Sequence, residues 1–296
     1  MTPRAVRSTL PAMHKTLFPS IAALFCGYAS AIHAAEFQIP LFIPASHATQ
    51  EGFIRMINHS ETRGVVRVLA VDDAGAEFGP KDITLEARQT LHFNSGDLEN
   101  GNPISNPDKV PGLELGVGGG TGDWRLVLDS ELDLEPLVYV RTDDGFLTSM
   151  HDVVPEASMQ HEVAIFNPAK NPNQVSRLRL INPGESDVTV SITGVDDKGT
   201  TPAGAPLTVE LDAGMAISVS ATELENGSTD GRITGSFGAG EGKWRLFVSA
   251  DGEIQVMSLL ESTMTGHLTN LSTRTYESLA PSEQAAFDRF MAASGE

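Results

Sequence analysis

The sequence predicts an all-β protein: two tandem immunoglobulin-like antiparallel β-sandwich modules followed by a short C-terminal helix. Three observations carry that expectation. Landmark residues recur in one order along the chain, the apolar residues alternate with a period of two, and turn signals return every ten residues or so.

The recurrence is explicit. Arg55-Met56-Ile57-Asn58 returns as Arg179-Leu180-Ile181-Asn182, and Val71-Asp72-Asp73-Ala74-Gly75 as Val195-Asp196-Asp197-Lys198-Gly199, both 124 residues on. Leu98-Glu99-Asn100-Gly101 recurs as Leu224-Glu225-Asn226-Gly227, and Gly122-Asp123-Trp124-Arg125-Leu126 as Gly242-Lys243-Trp244-Arg245-Leu246. Gly145-Phe146-Leu147-Thr148 matches Gly266-His267-Leu268-Thr269. The spacing changes inside Pro/Gly-rich stretches, where insertions cost little.

Within each copy the period is that of half-buried strands. Val188-Thr189-Val190-Ser191-Ile192-Thr193 alternates apolar and hydroxyl residues, and Trp124, Leu126 and Leu128 share one face as do Trp244, Leu246 and Val248. One packed face and one wet face fit antiparallel sheet. Trp124 and Trp244, equivalent and flanked by alternating apolar residues, read as core anchors. Ser220-Ala221-Thr222-Glu223 reads as a capping box opening one helical turn that Gly227 closes.

The expected organisation is a signal peptide over 1–35, a first module over 36–154, a linker over 155–161, a second module over 162–273 and a tail over 274–296. Arg4, Arg7 and Lys15 precede an apolar run from Leu17 to Ala29, and small residues follow it, as in a secretory leader. In the tail, Pro281-Ser282-Glu283 starts a helix whose Phe287, Phe290 and Met291 form one stripe, suited to docking on the second module or to recognising a partner. The expected location is secreted or periplasmic, with no stable membrane insertion once the leader is removed.

Charge and cysteine narrow the function. The chain carries 20 Lys and Arg against 39 Asp and Glu, a net charge of −19. Without the leader, which holds three of the basic residues and no acidic one, 17 remain against 39, a net charge of −22. So acidic a surface repels phosphate backbones and anionic lipid, which excludes nucleic acid as a partner. The one cysteine, Cys26, lies in the leader, so the rest of the chain has no disulfide, thiolate nucleophile or Cys-ligated zinc.

No catalytic motif emerges. His47, His59, His92, His151, His161 and His267 form no H-E-x-x-H or H-x-H pair, and no G-x-S-x-G elbow is present. The glycine-rich stretches before Trp124 and Trp244 lead into strands, not into helix N-termini that would hold an anion. Asp72, Asp73, Asp196 and Asp197 pair carboxylates at turn tips, with Asp143-Asp144 alongside. Such turns supply oxygen ligands for calcium in secreted sandwiches, and Asp is also an ordinary turn former. They are the candidate metal ligands, for calcium, and no other cofactor is expected.

Trp244-Arg245-Leu246, Val256-Met257-Ser258-Leu259-Leu260 and Gly266-His267-Leu268-Thr269-Asn270-Leu271-Ser272 resemble a repeat module of exported proteins of environmental, often marine, proteobacteria. There it accompanies protease, adhesin-like or other extracellular domains. The first copy departs from the pattern at Val138-Tyr139-Val140-Arg141 and Phe146-Leu147-Thr148-Ser149. The resemblance implies an extracellular accessory β-module and brings no active-site or binding residue with it.

The expectation is a non-catalytic exported interaction or adhesion protein presenting two modules to a protein or polysaccharide. Two alternatives stand beside it: a calcium-dependent carbohydrate-binding module, and a hydrolase whose dispersed site lies at the module junction near His151 and His161.

Overall fold

Alternation of buried and exposed residues, strand after strand, places the chain in antiparallel sheets. The computed structural model describes residues 35–150, 155–204, 206–229, 231–271 and 273–294. The leader expected over 1–35 and His151 of the expected hydrolase site lie outside these, apart from Ala35, which opens the first strand.

The first half contains β1 (Ala35–Phe42), β2 (Gln50–Asn58), β3 (Gly64–Val71), β4 (Glu77–Leu85), β5 (Thr90–Asn94), α1 (Ser95–Asn100), β6 (Trp124–Ser130), β7 (Leu134–Thr142) and β8 (Leu147–Ser149). They form two four-stranded sheets, ordered β1-β6-β3-β4 and β5-β2-β7-β8. Ile54 and Met56 from one sheet and Val66, Val68, Trp124 and Leu126 from the other fill one core between them.

The second half contains β9 (Ser158–Phe166), β10 (Gln174–Ile181), β11 (Val188–Asp196), β12 (Leu207–Leu211), β13 (Ala216–Ser220), α2 (Ala221–Asn226), β14 (Ile233–Thr234), β15 (Trp244–Ser262), β16 (Leu268–Leu271), β17 (Thr273–Thr275) and α3 (Pro281–Ser294). Its pairing repeats that of the first half. β9 joins β15, β11 and β12 as β1 joins β6, β3 and β4; β13-β10-β15-β16 repeats β5-β2-β7-β8. β15 does the work of both β6 and β7. Its first part pairs β11 and its last part pairs β10, whereas the first half breaks at Glu131–Asp133.

The all-β class, the antiparallel sheets and the C-terminal helix are as expected. The strand order is not that of an immunoglobulin sandwich, whose first two strands share a sheet; here β1 and β2 lie in opposite sheets. Period-two alternation specifies strands and faces but not the sheet each strand joins. Boundaries also shift: β9 begins at Ser158 inside the expected linker, and β17 carries Thr275 of the expected tail into the sheet.

The two halves are packed against each other. β10 and the last part of β15 are buried on both faces, as the unbroken apolar run Val256-Met257-Ser258-Leu259-Leu260 suggests. Leu178, Leu180 and Val256 face the second core, while Met257, Leu259 and Leu268 join the core of the first half. Gln50 Nε2 donates to Gly266 O at 2.7 Å and Thr148 Oγ1 to Leu268 O at 2.7 Å, tying the seam with polar contacts.

α3 docks on the second half, in line with its sequence stripe. Phe287 and Met291 pack with Val195, Phe247 and Leu279, and Phe247 lies edge-on to Phe287 at 5.2 Å.

Candidate functional site

Each pair of aspartates sits in the turn of a hairpin, and backbone N–H groups claim most of its oxygens. Asp72 accepts from Ala76 N on Oδ1 and from Thr121 N on Oδ2, both at 2.9 Å. Asp196 accepts from Lys198 N and Thr200 N on Oδ1, at 2.9 Å each, and from Glu241 N on Oδ2 at 3.0 Å. Bonds from Glu241 N and Thr200 N, with a lesser one from Lys198 N, hold the Asp196 carboxyl below the usual carboxylate range against the opposing effect of burial. The second aspartates follow suit: Asp73 Oδ2 accepts from Asp123 N and Asp197 Oδ2 from Lys243 N, each at 2.9 Å.

These bonds clip the β3–β4 and β11–β12 turns to the glycine-rich stretches ahead of the tryptophan strands. Close approach explains the glycines there. Gly122 and Gly242 have φ of 71° and 90°, and a Cβ on them would lie 2.3 and 2.2 Å from Oδ2 of Asp73 and Asp197. Gly120 and Gly240 leave room in the same way for the rings of Trp124 and Trp244.

The tryptophans complete the motif. Both are buried, as expected, and each indole N–H reaches a glutamate at the end of the short helix: Trp124 Nε1 to Glu99 at 2.8 Å, Trp244 Nε1 to Glu225 at 2.9 Å. α2 opens with the predicted capping box of Ser220 and Glu223 and stops at Gly227. α1 has its own box, Asn94 with Asp97, whose sequence signal is the pattern Asn94-Ser95-Gly96-Asp97 with Asp in place of the usual Glu or Gln.

The four candidate metal ligands therefore act as turn clips. The structure brings Asp72 to Asp73 and Asp196 to Asp197, in separate halves, with Asp123 facing Asp73 across a guanidinium. Among the described residues no group of three or more His, Cys, Asp and Glu is placed to hold a metal ion. Where a cation would approach Asp73, a guanidinium already stands.

That guanidinium belongs to Arg179, which the sequence marked only as a repeat landmark. Its side chain is 0% exposed, at the seam between halves. Nη2 donates to Asp73 Oδ1 at 2.7 Å, Nε donates to Pro40 O at 3.1 Å, and Nη1 faces Asp123 Oδ2 at 3.6 Å. Burial raises the Asp73 carboxyl above its ordinary value, and Arg179 pulls the other way. Arg125, the partner of Arg245 in the repeat, donates to Gly214 O across the same seam. Ala216 N closes on Asp73 O at 3.0 Å.

Other titratable groups are engaged structurally as well. His161 is buried and donates from Nε2 to Ser158 O at 3.0 Å and Ile254 O at 2.9 Å; burial lowers its pKa below the usual imidazole value. Glu162 is clamped by Arg245 at 2.5 Å and Arg274 at 2.7 Å, and Arg274 also bonds Glu283 of α3 at 2.9 Å. His267 pairs with Asp144 at 2.8 Å across the seam and stacks on Phe146 at 4.0 Å. Hydrogen bonds from Thr142 and His267 lower the Asp144 carboxyl to about 2.

Two open clefts flank the seam. One is lined by Asp73, Thr121, Glu210, Asp212, Met215 and Arg232; the other by Thr49, Asp143, Asp144, Glu261, Met264 and Gly266. Both open partly to solvent, and apolar atoms make up more of each lining than polar ones. No helix among the described residues is long and apolar enough to cross a membrane. Comparison with protein families, with curated proteins and with solved structures finds no match for this chain.

Proposed function

We propose that this chain is a non-catalytic exported interaction protein that holds two duplicated β-modules in one fixed arrangement for an extracellular or periplasmic partner, a protein or a polysaccharide. One observation carries the reading: the groups from which an active site would be drawn serve internal clips instead. Asp73 binds Arg179, Glu225 binds an indole, His161 binds two carbonyls and Glu162 binds two arginines. Carboxylates and imidazoles committed this way satisfy buried partners and hold the fold together, which supports a structural role for them.

The packed seam changes how duplication serves binding. Two modules on a loose linker gain avidity by searching; two modules in one body present surfaces at a set spacing, which favours a partner whose own epitopes match it. The leader, the acidity and the resemblance to exported repeat modules support the location outside the cytoplasm.

The test has two arms. A panel of ester, glycoside and peptide substrates is expected to show no turnover. Immobilised chain is expected to retain a soluble polysaccharide or protein fraction from the source medium, equally with calcium and with chelator. Turnover that disappears in His161→Gln would overturn the reading, and retention only with calcium would move it to the carbohydrate-binding alternative.

A further inference from the structure

The internal seam is a heterologous contact between two copies of one module, so each of its two surfaces has a counterpart elsewhere in the chain. On the second half the docking face is the outer side of β10, β15 and β16, with Arg179, Met257 and Leu268 buried at the seam. Register identifies their counterparts. Arg179 pairs with Met257 as Arg55 pairs with Leu137, and Glu261 pairs with Leu268 as Arg141 pairs with Leu147. In the first half Arg55 is exposed, Leu137 half-buried and Leu147 55% exposed.

The receiving surface has counterparts too. Arg179 is received by Pro40 O and Asp73, and Leu41, the residue after Pro40 in β1, is buried. Phe42 opposes Trp124 as Phe166 opposes Trp244, which sets Ala164 against Pro40 and Ile165 against Leu41. Ala164, Ile165 and Asp197 are all exposed, Ile165 by 46%. Asp197 presents Oδ1 with only Oδ2 held by Lys243 N, as Asp73 does toward Arg179.

We propose that a second copy of this chain docks head-to-tail by repeating the internal seam. Arg55 of one copy enters the place formed by Ala164 O, Ile165 and Asp197 of the next, and Leu137 and Leu147 cover Ile165. The continuity is with an interface the molecule already builds, and the charges complement each other: an exposed arginine on an acidic chain meets an exposed aspartate. Two differences weaken the repeat relative to the original. Lys243 stands where Asp123 faces Arg179, and on the second half Arg245 is engaged by Glu162 beneath α3, whereas Arg125 is offered to Gly214. Association is consequently weak and concentration-dependent.

Sedimentation velocity on the purified chain across a concentration series reads this directly. The wild type is expected to gain mass with concentration, Arg55→Glu to remain monomeric, and Lys243→Asp to associate about tenfold more tightly by exchanging a repulsion for an attraction. Arg55→Glu lies on a solvated face, so an unchanged circular-dichroism melt separates lost association from lost folding. The proposal is overturned if wild type and Lys243→Asp are both monomeric at millimolar concentration, or if Arg55→Glu associates as the wild type does.

Discussion

Arg179 and Asp73 meet at 2.7 Å across the seam of the duplicated halves, and the guanidinium has no exposure to water. The equivalent arginine of the first copy, Arg55, stands in solvent. One residue type at one repeat position thus has two environments, and that difference makes the first prediction.

Arg179→Ala should destabilise the chain by about 3–5 kcal/mol, because it strands the carboxylates of Asp73 and Asp123 beside an emptied guanidinium site. Arg55→Ala should change stability by less than about 0.5 kcal/mol. Arg179→Met with Asp73→Asn should recover at least half of the loss, since the amide still accepts from Asp123 N while the charge is gone. Denaturant unfolding of the four proteins measures each value; equal losses at 55 and 179 would contradict a buried seam.

His161 gives the pH dependence a sign. Its folded pKa lies below the ordinary imidazole value through burial, so the unfolded chain binds the proton more readily. Its contribution is present above pH ~6.5 and is lost as pH falls below that value toward the folded pKa. Thermal melts between pH 7.5 and pH 5 should show the midpoint dropping on the acid side, and His161→Gln should flatten that limb.

Asp144 acts at lower pH. Its carboxyl, lowered to about 2 by Thr142 and His267, stabilises the fold above the ordinary carboxylate range and loses that effect as pH falls from ~4 toward 2. Asp144→Asn should make melts over that interval less steep in pH, with the wild type as reference.

The two tryptophans should respond unequally. Trp244→Phe removes the indole donor bonded to buried Glu225 and should cost about 1–3 kcal/mol. In the first half Glu99 also accepts from Ala45 N at 2.8 Å, so Trp124→Phe leaves that oxygen a partner and should cost less. Urea titrations of both variants decide the order.

Calcium should leave the thermal midpoint within about 1 °C of that in chelator, whereas saturation at a hundredfold excess over the dissociation constant would add about 2.7 kcal/mol and move it by several degrees. A shift of that size, abolished by Asp197→Asn, would identify the acidic turns as calcium sites.

Much of this fold is legible in the sequence. The repeat of Arg55 to Asn58, the alternation around Val188 to Thr193, the capping box at Ser220 and the stripe on α3 each encode a local rule, and each is found where the rule places it. What alternation cannot carry is allocation. Strand β2 looks the same in sequence whether it pairs β1 or crosses to the opposite sheet, because only its inward face is specified. The seam was hidden for a related reason: Arg55 and Arg179 are the same letter in the same motif, and only long-range packing separates an exposed arginine from a buried one. A signal did exist in the second copy, where Val256 to Leu260 loses its alternation and so announces a sheet covered on both faces. The aspartate pairs were legible as turns, while their bonding to the glycine stretches some 50 residues ahead lies beyond any local pattern.

Strand β15 runs unbroken for 19 residues through both sheets of the second half, where the first half needs two separate strands. Under a pulling force the halves should therefore give way differently. A tensile load on the first half can straighten the Glu131–Asp133 break before any sheet shears, but β15 has no such slack and would carry tension directly from one sheet into the other. The second half would be the stiffer of the two.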